Sequence, residues 1–299
     1  MKRFDVVGVG YSNIDFLGIV SRYPELDEKM KLTEFSRQGG GVTATAMATV
    51  SRLGGRASYI GKVGDDDFGK SAIAELEKDG VDVSHVVVQP GAASQFSFVV
   101  VDQATGKRTI FWTPSDVVME PSDLRREDVI SGNVLHVDAH HPRAALQAAE
   151  WANEAGIPVV MDAGTLREGS VEIAERTDAL IASELFARQY TGQNDPEVAA
   201  RLMFTGRRTI SAVTLGARGC IYVTEEGVFH QPAFKVKVVD TTGAGDVFHG
   251  AFSFGLSQGW DFRRIVEFAS AVAAIKCTKL GGRAGIATMA QVVEFLEKH

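Results

Sequence analysis

Cysteine is nearly absent: Cys220 and Cys277 are the only two, too few for a disulfide scaffold or a cysteine-ligated zinc site. Apolar residues never run unbroken for the ~18 positions that a membrane-crossing helix needs. An excess of basic residues is missing too. With 31 Lys+Arg against 38 Asp+Glu the formal net charge is −7. That balance weighs against bulk nucleic-acid binding, which depends on clustered Lys and Arg against phosphate. It leaves room for a small anion held by local backbone amides. No long polar segment poor in apolar residues occurs, so disorder is excluded. The start, MKRFDVVGVG, enters a strand pattern at once without the ~7–15-residue apolar core of a signal peptide. The expected compartment is a reducing cytoplasm, with no membrane and no nucleic acid among the partners.

What is present is the mix of a globular protein, 45% hydrophobic and 23% charged. At 299 residues one large domain can bury most of its apolar surface. Short runs rich in β-branched residues, at 4–10, 134–139, 157–163 and 210–216, read as buried parallel strands. Helical spacing separates them at 144–156, from Val198 to Phe204 and from Phe262 to Lys276. The alternation predicts an α/β fold with a mostly parallel sheet. Residues 11–38 and 92–113 break it with period-two alternation and a DQATGK turn, which reads as antiparallel strands inserted as a lid. The expectation is a single domain over 1–299 carrying a small β lid.

The most informative segment is VVDTTGAGDVFHGAFSFGL at 238–256. A strand-like end runs into Gly243-Ala244-Gly245-Asp246 and then into a helical pattern. Such a turn aims unpaired N–H groups at one point, with the positive helix end behind them, an arrangement suited to a phosphoryl group in transfer. A carboxylate at its edge, Asp246, is placed to take a proton from an attacking hydroxyl. Spacing alone serves equally for a plain helix start after a glycine turn.

The ordered set of motifs goes further. Asp240 to Asp246 with Phe248 and Gly250 resembles the signature of the ribokinase-like (PfkB) carbohydrate kinases. So do Gly39-Gly40-Gly41 and their small-residue helix, Arg52-Leu53-Gly54-Gly55, Ile60 to Gly69, the opening Gly8 to Asp15, and Val213 to Gly216 with Gly219. The resemblance spans nearly the whole chain. It implies a three-layer α/β/α sandwich and an ATP-dependent kinase acting on a small carbohydrate, with magnesium accompanying ATP.

By position, the resemblance makes Asp246 the base and Gly243, Ala244 and Gly245 the anion hole. Asn13, Asp15, Gly40 and Gly41 would meet the sugar; Thr45 stands where ribokinase has an asparagine contact, while Trp112 and His140 would wall the pocket. Ser183, Thr214, Gly216, Gly219, Cys277, Gly281 and Gly282 would line the ATP side. Asp240 and Thr242, with the loop at 278–286, match a monovalent cation site, so K+ joins the implied cofactors. The family's Asn-x-x-Glu motif is altered: Ser183 and Phe186 replace its ends, leaving Glu184 to reach magnesium through water. A homodimer through the lid is implied by analogy.

Asp138 or His140 could also touch substrate, and Asp162 with Arg167 could support a phosphate or form a structural ion pair. The C-terminal part resembles the subgroup with sulfofructose kinase, and the lid stretch from Arg22 to Met30 resembles ketohexokinases. The positions that hold a sulfonate there carry Ala139 or His140, and Trp112, and Arg143 is in poor register. A sulfonate needs a fixed positive charge or several donors, so a neutral ketose such as fructose is the expected acceptor. The alternatives are sulfofructose, a nucleoside stacked on Trp112, and a sugar-binding protein without activity.

Overall fold

The computed structural model describes residues 2–299. Along the chain run β1 (Phe4–Val9), β2 (Asn13–Val20), β3 (Glu34–Gly40), α1 (Val42–Arg52), β4 (Ala57–Ile60), β5 (Lys62–Gly64), α2 (Asp67–Lys78), β6 (Val87–Gln89), β7 (Phe96–Asp102) and β8 (Arg108–Trp112). There follow α3 (Arg126–Val129), β9 (Gly132–Val137), α4 (Pro142–Glu154), β10 (Val159–Ala163), α5 (Ser170–Ala174), β11 (Ala179–Ser183), α6 (Glu184–Thr191) and α7 (Pro196–Met203). The chain closes with β12 (Ile210–Thr214), β13 (Cys220–Thr224), β14 (Gly227–Gln231), α8 (Ala244–Ser257), α9 (Phe262–Lys276) and α10 (Met289–Glu297).

Eight strands form the central sheet in the order β14-β13-β12-β11-β10-β9-β1-β4. From β12 to β4 every pair is parallel, and β13 and β14 add an antiparallel edge. Side-chain alternation divides the core into two layers. Val6, Val134, Val160, Ile181 and Ala212 pack with α1, α8, α9 and α10. Val7, Leu135, Met161, Leu180 and Val213 pack with α4, α6 and α7 on the other face. Strands covered on both faces carry no polar alternation, which is why their sequences are continuous apolar runs. Among the described residues no helix is long and apolar enough to cross a membrane.

A separate four-stranded sheet, ordered β3-β2-β7-β8, carries the lid segments. It differs from an all-antiparallel insertion: β2 and β7 pair in parallel. The connection between them passes through the α/β body, so the two hairpins meet side by side with the same direction. Its inner face bears Leu17, Ile19, Val99 and Val101 over Leu280, and its outer face bears the clustered rings of Phe16, Phe96 and Phe98.

Close approach of α1 and α8 brings two helix N-termini to the same edge of the sheet. The contact works because both helices present small residues. A Cβ on Gly250 would lie 2.4 Å from the Ala46 carbonyl oxygen and 2.8 Å from Thr49 Cβ. Overpacking of this kind costs about 1–3 kcal/mol. Gly250→Val is therefore expected to lower the unfolding free energy by that scale, read as a lower urea midpoint with an unchanged m-value, and a variant as stable as the parent would contradict the contact.

Candidate active site

The carboxyl ends of five parallel strands open into one cavity of about 510 Å³, where open α/β sheets place ligands. Past β1 come Tyr11, Asn13 and Asp15; past β9, Asp138 and His140; at β10, Asp162; at β11, Ser183; at β12, Thr214. The first turn of α8 supplies Gly243, Gly245 and Asp246, the start of α1 supplies Gly41, and the lid supplies Ser97, Arg108 and Trp112.

The glycine turn is built by a buried carboxylate. Asp240 has no exposure; its Oδ1 accepts from Thr242 N at 2.8 Å and Thr242 Oγ1 at 2.7 Å, and its Oδ2 accepts from Gly281 N at 2.8 Å. Gly243 then takes a left-handed φ of 73° at the start of α8. A Cβ there would come within 2.8 Å of Gly282 Cα, so both the backbone conformation and the close approach require glycine. Gly245 has open space before it. Gly243 and Gly245 line the cavity with the helix dipole behind them, whereas the Ala244 N–H is already engaged, donating to the Thr241 carbonyl at 3.2 Å.

Asp246 stands in that first turn. Burial, then the neighbouring Asp162 carboxyl, push its pKa up to about 7, with His249 and Arg108 acting in the opposite sense. Asp162 is itself pushed up, to about 8, by burial and by Asp138. Its nearest basic group is not Arg167 but the imidazole of His249, whose pKa burial lowers and whose Nδ1 lies 3.0 Å from Asp162 Oδ2. The buried His249 ring also meets the Gly245 carbonyl at 2.7 Å and the Ile181 carbonyl at 3.0 Å, which ties α8 to β11.

At the other end of the cavity Asn13 Nδ2 donates to Asp15 Oδ1 at 2.7 Å and Ser97 Oγ at 2.9 Å. Gly40 packs against this pair, since a Cβ there would meet Asp15 Oδ2 at 2.2 Å and Asn13 Oδ1 at 2.5 Å. Asn13 Oδ1 and the Tyr11 hydroxyl are buried without a partner, polar atoms that a polyhydroxylated ligand would satisfy. Burial raises the Asp15 pKa. Asp138 is the opposite case. Burial alone would raise it, but His140 and donors from Tyr11 N, Thr43 Oγ1 and His140 N hold its carboxyl far below the usual range. It acts as a tie between the β1 end, α1 and β9. His140 stacks on Tyr11 with centroids 4.5 Å apart.

Several residues singled out in the sequence lie elsewhere. Thr45 is buried in α1 with Oγ1 3.5 Å from Arg283 Nε, because that helix turns it from the cavity towards the loop after α9. Glu184 pairs with Arg218 Nη2 at 2.6 Å in a half-exposed ion pair beyond the cavity lining. Among the described residues no group of three His, Cys, Asp or Glu is arranged to hold a metal. Gly216 (φ 57°) and Gly219 (φ 91°) flank the turn after β12, while Cys277, Gly281 and Gly282 follow α9. Gly281 (φ 91°) sits where a Cβ would meet the Gln38 amide at 2.0 Å, and the Gln38 side chain bridges Leu280 O and Arg283 N.

Tyr11, Arg108, His249 and Lys276 were not picked out from sequence. Arg108 begins a lid strand yet reaches across to Thr241 Oγ1 at 2.9 Å, a contact between positions 133 residues apart that no local pattern signals. With Arg167 it puts two guanidinium groups on the cavity wall. Arg143 instead pairs with Glu120 at 3.0 Å.

A family model described as pfkB family carbohydrate kinase matches residues 3–289. Fructokinase-1 of Zea mays is 34% identical over 322 residues, covering 98% of this chain and 98% of its own. An ATP-dependent ribose-1-phosphate kinase of Halopiger xanaduensis is 31% identical and covers 93% of each chain. The crystal structure of ribokinase from Thermotoga maritima superposes with a TM-score of 0.83 at 28% identity, over 98% of this chain and 99% of that one. The likeness runs the length of the chain, through the glycine turn and the strand ends alike: it belongs to the pfkB family of carbohydrate kinases, phosphotransferases with a sugar hydroxyl as acceptor.

Proposed function

We propose that this kinase transfers the terminal phosphoryl group of ATP to a hydroxyl of fructose or a closely related ketose. The observation that carries the reading is the shared cavity, in which Asp246 and the α8 turn face the unpartnered polar atoms of Tyr11 and Asn13. The fructokinase relatives support the acceptor, and the ATP-dependent ribose-1-phosphate kinase supports the donor.

In this reading Asn13, Asp15 and the Tyr11 hydroxyl hold sugar hydroxyls, with Gly40 and Gly41 admitting the sugar to the backbone and Trp112 and His140 at its sides. Asp246 accepts the proton of the attacking hydroxyl as that oxygen bonds to the γ-phosphorus, and the bond to the β–γ bridging oxygen breaks to release ADP. The Gly243 and Gly245 amides stabilise the charge on the moving phosphoryl oxygens, and Ala244, whose N–H donates to the Thr241 carbonyl, keeps the turn in shape. Ser183 and Thr214 stand beside the phosphates, and Gly216, Gly219, Cys277, Gly281 and Gly282 border the adenine side. Magnesium arrives as the counter-ion of the triphosphate. Glu184, half-exposed beside Arg218, would reach that ion only through water.

Arg108 and Arg167 favour a second reading, an acceptor that already carries an anionic group, as the name of the Halopiger xanaduensis relative describes. A panel of fructose, ribose, ribose 1-phosphate and sulfofructose decides between them: a preference for the anionic acceptors that Arg167→Met abolishes would replace fructose as the substrate.

Loss of a general base typically costs 10²–10⁴-fold. Asp246→Asn is therefore expected to bind sugar as the parent does and to turn over at least ~100-fold more slowly. With the Asp246 pKa raised to about 7, the base is protonated below that pH. kcat/KM for the parent should then fall about tenfold per unit below pH 7. A variant with near-parental turnover, or a flat profile down to pH 5, would remove Asp246 from this role.

The lid's outer face supports a homodimer. Phe35, Phe98 and Phe111 are each more than half exposed there, a patch of the kind that marks an interface. Sedimentation is expected to give a dimer that Phe98→Asp converts to a monomer. A monomeric parent would dismiss the pairing.

A further inference from the structure

The cation site implied for Asp240 and Thr242 meets an obstacle in the structure. Lys276, the last residue of α9, has no exposure. Its Nζ donates to the Asp240 carbonyl oxygen at 2.9 Å and lies 4.0 Å from Asp240 Oδ2. The remaining valences of that carboxylate go to Thr242 and Gly281. A buried carboxylate needs a compensating charge, and the ammonium supplies one at the distance of an ion pair. An exchangeable ion beside Asp240 would have to displace Nζ, or crowd a second positive charge against it. The donor set therefore does not fit potassium.

We propose that the Lys276 ammonium is a built-in monovalent cation, permanently supplying to the Asp240–Gly243 turn the charge that an exchangeable ion would otherwise bring. Lys276 is thus a positioning residue. It acts on phosphoryl transfer through Asp240, which fixes Thr242 and so the Gly243 bend at the head of α8. The consequence is a kinase indifferent to potassium. The inference draws on the kinase reading only for its rate assay.

Rates are to be measured for the parent, Lys276→Ala and Lys276→Met with potassium chloride or with tetramethylammonium chloride at equal ionic strength. The parent is expected to run at the same rate in both, within about twofold. Lys276→Ala, which opens a space, should lose at least about tenfold in tetramethylammonium and recover in potassium, tenfold being the effect of 1.36 kcal/mol on a barrier. Lys276→Met, which fills the space without charge, should stay slow in both salts. Melting temperature gives a substrate-free arm: potassium should raise that of Lys276→Ala and leave the parent unmoved. Several-fold potassium activation of the parent would overturn the proposal. So would a fully active Lys276→Ala in tetramethylammonium, or an alanine variant in which potassium restores neither rate nor melting temperature. If the parent phosphorylates nothing, the kinase reading fails and the melting arm still decides this one.

Discussion

One carboxylate with no access to solvent holds the cavity edge at the head of α8 together. Asp240 joins three separate pieces of chain: the turn it begins, the loop at Gly281 and the end of α9 at Lys276. Buried charge of this kind is costly to leave unbalanced and strongly directional when balanced. With that anchor in place Gly243 can lie against Gly282, α8 can start where it does, and the amide groups of its first turn can face the strand ends. Without it the glycines would specify only a flexible bend.

The cavity that results is rich in carboxylates, and they divide the work by their surroundings. Asp138 is saturated with donors and serves as a clamp. Asp15 is bound into the Asn13–Ser97 network. Asp246 has burial and Asp162 pressing on it and little to hold it ionised, the situation in which a carboxylate becomes a useful base near neutral pH. Residue type alone does not distinguish the three; their hydrogen bonds do.

The mostly parallel sheet was legible, though not the order of its strands, because parallel strands buried on both faces leave uninterrupted apolar runs, such as those ending at Val9, Val137 and Thr214. The turn at 240–246 was legible through its resemblance to the family signature, and its geometry requires glycine only at Gly243, where φ is left-handed and Gly282 lies close. The parallel pairing of β2 with β7 was not, since alternation reveals a strand's faces and says nothing of its neighbour. Thr45 was misplaced for a similar reason. Its helix supplied the right residue at the right spacing, but the loop carrying Arg283 packs on that side. Arg108, Lys276 and His249 act through contacts made 36 to 133 residues away, and each sits in an ordinary strand or helix pattern.

The parallel pairing at the centre of the small sheet has a mechanical result. All four of its attachments to the body, beside Asn13, Gly40, Phe96 and Trp112, fall at one end. The opposite end carries Arg108, four residues and so roughly 14 Å along β8 from Trp112. The sheet is therefore a door with a single hinge line, and Arg108 touching Thr241 is its latch. Any swing moves the latch far more than the hinge, so the rim at Thr241 gapes first while the groups beside Asn13 scarcely shift.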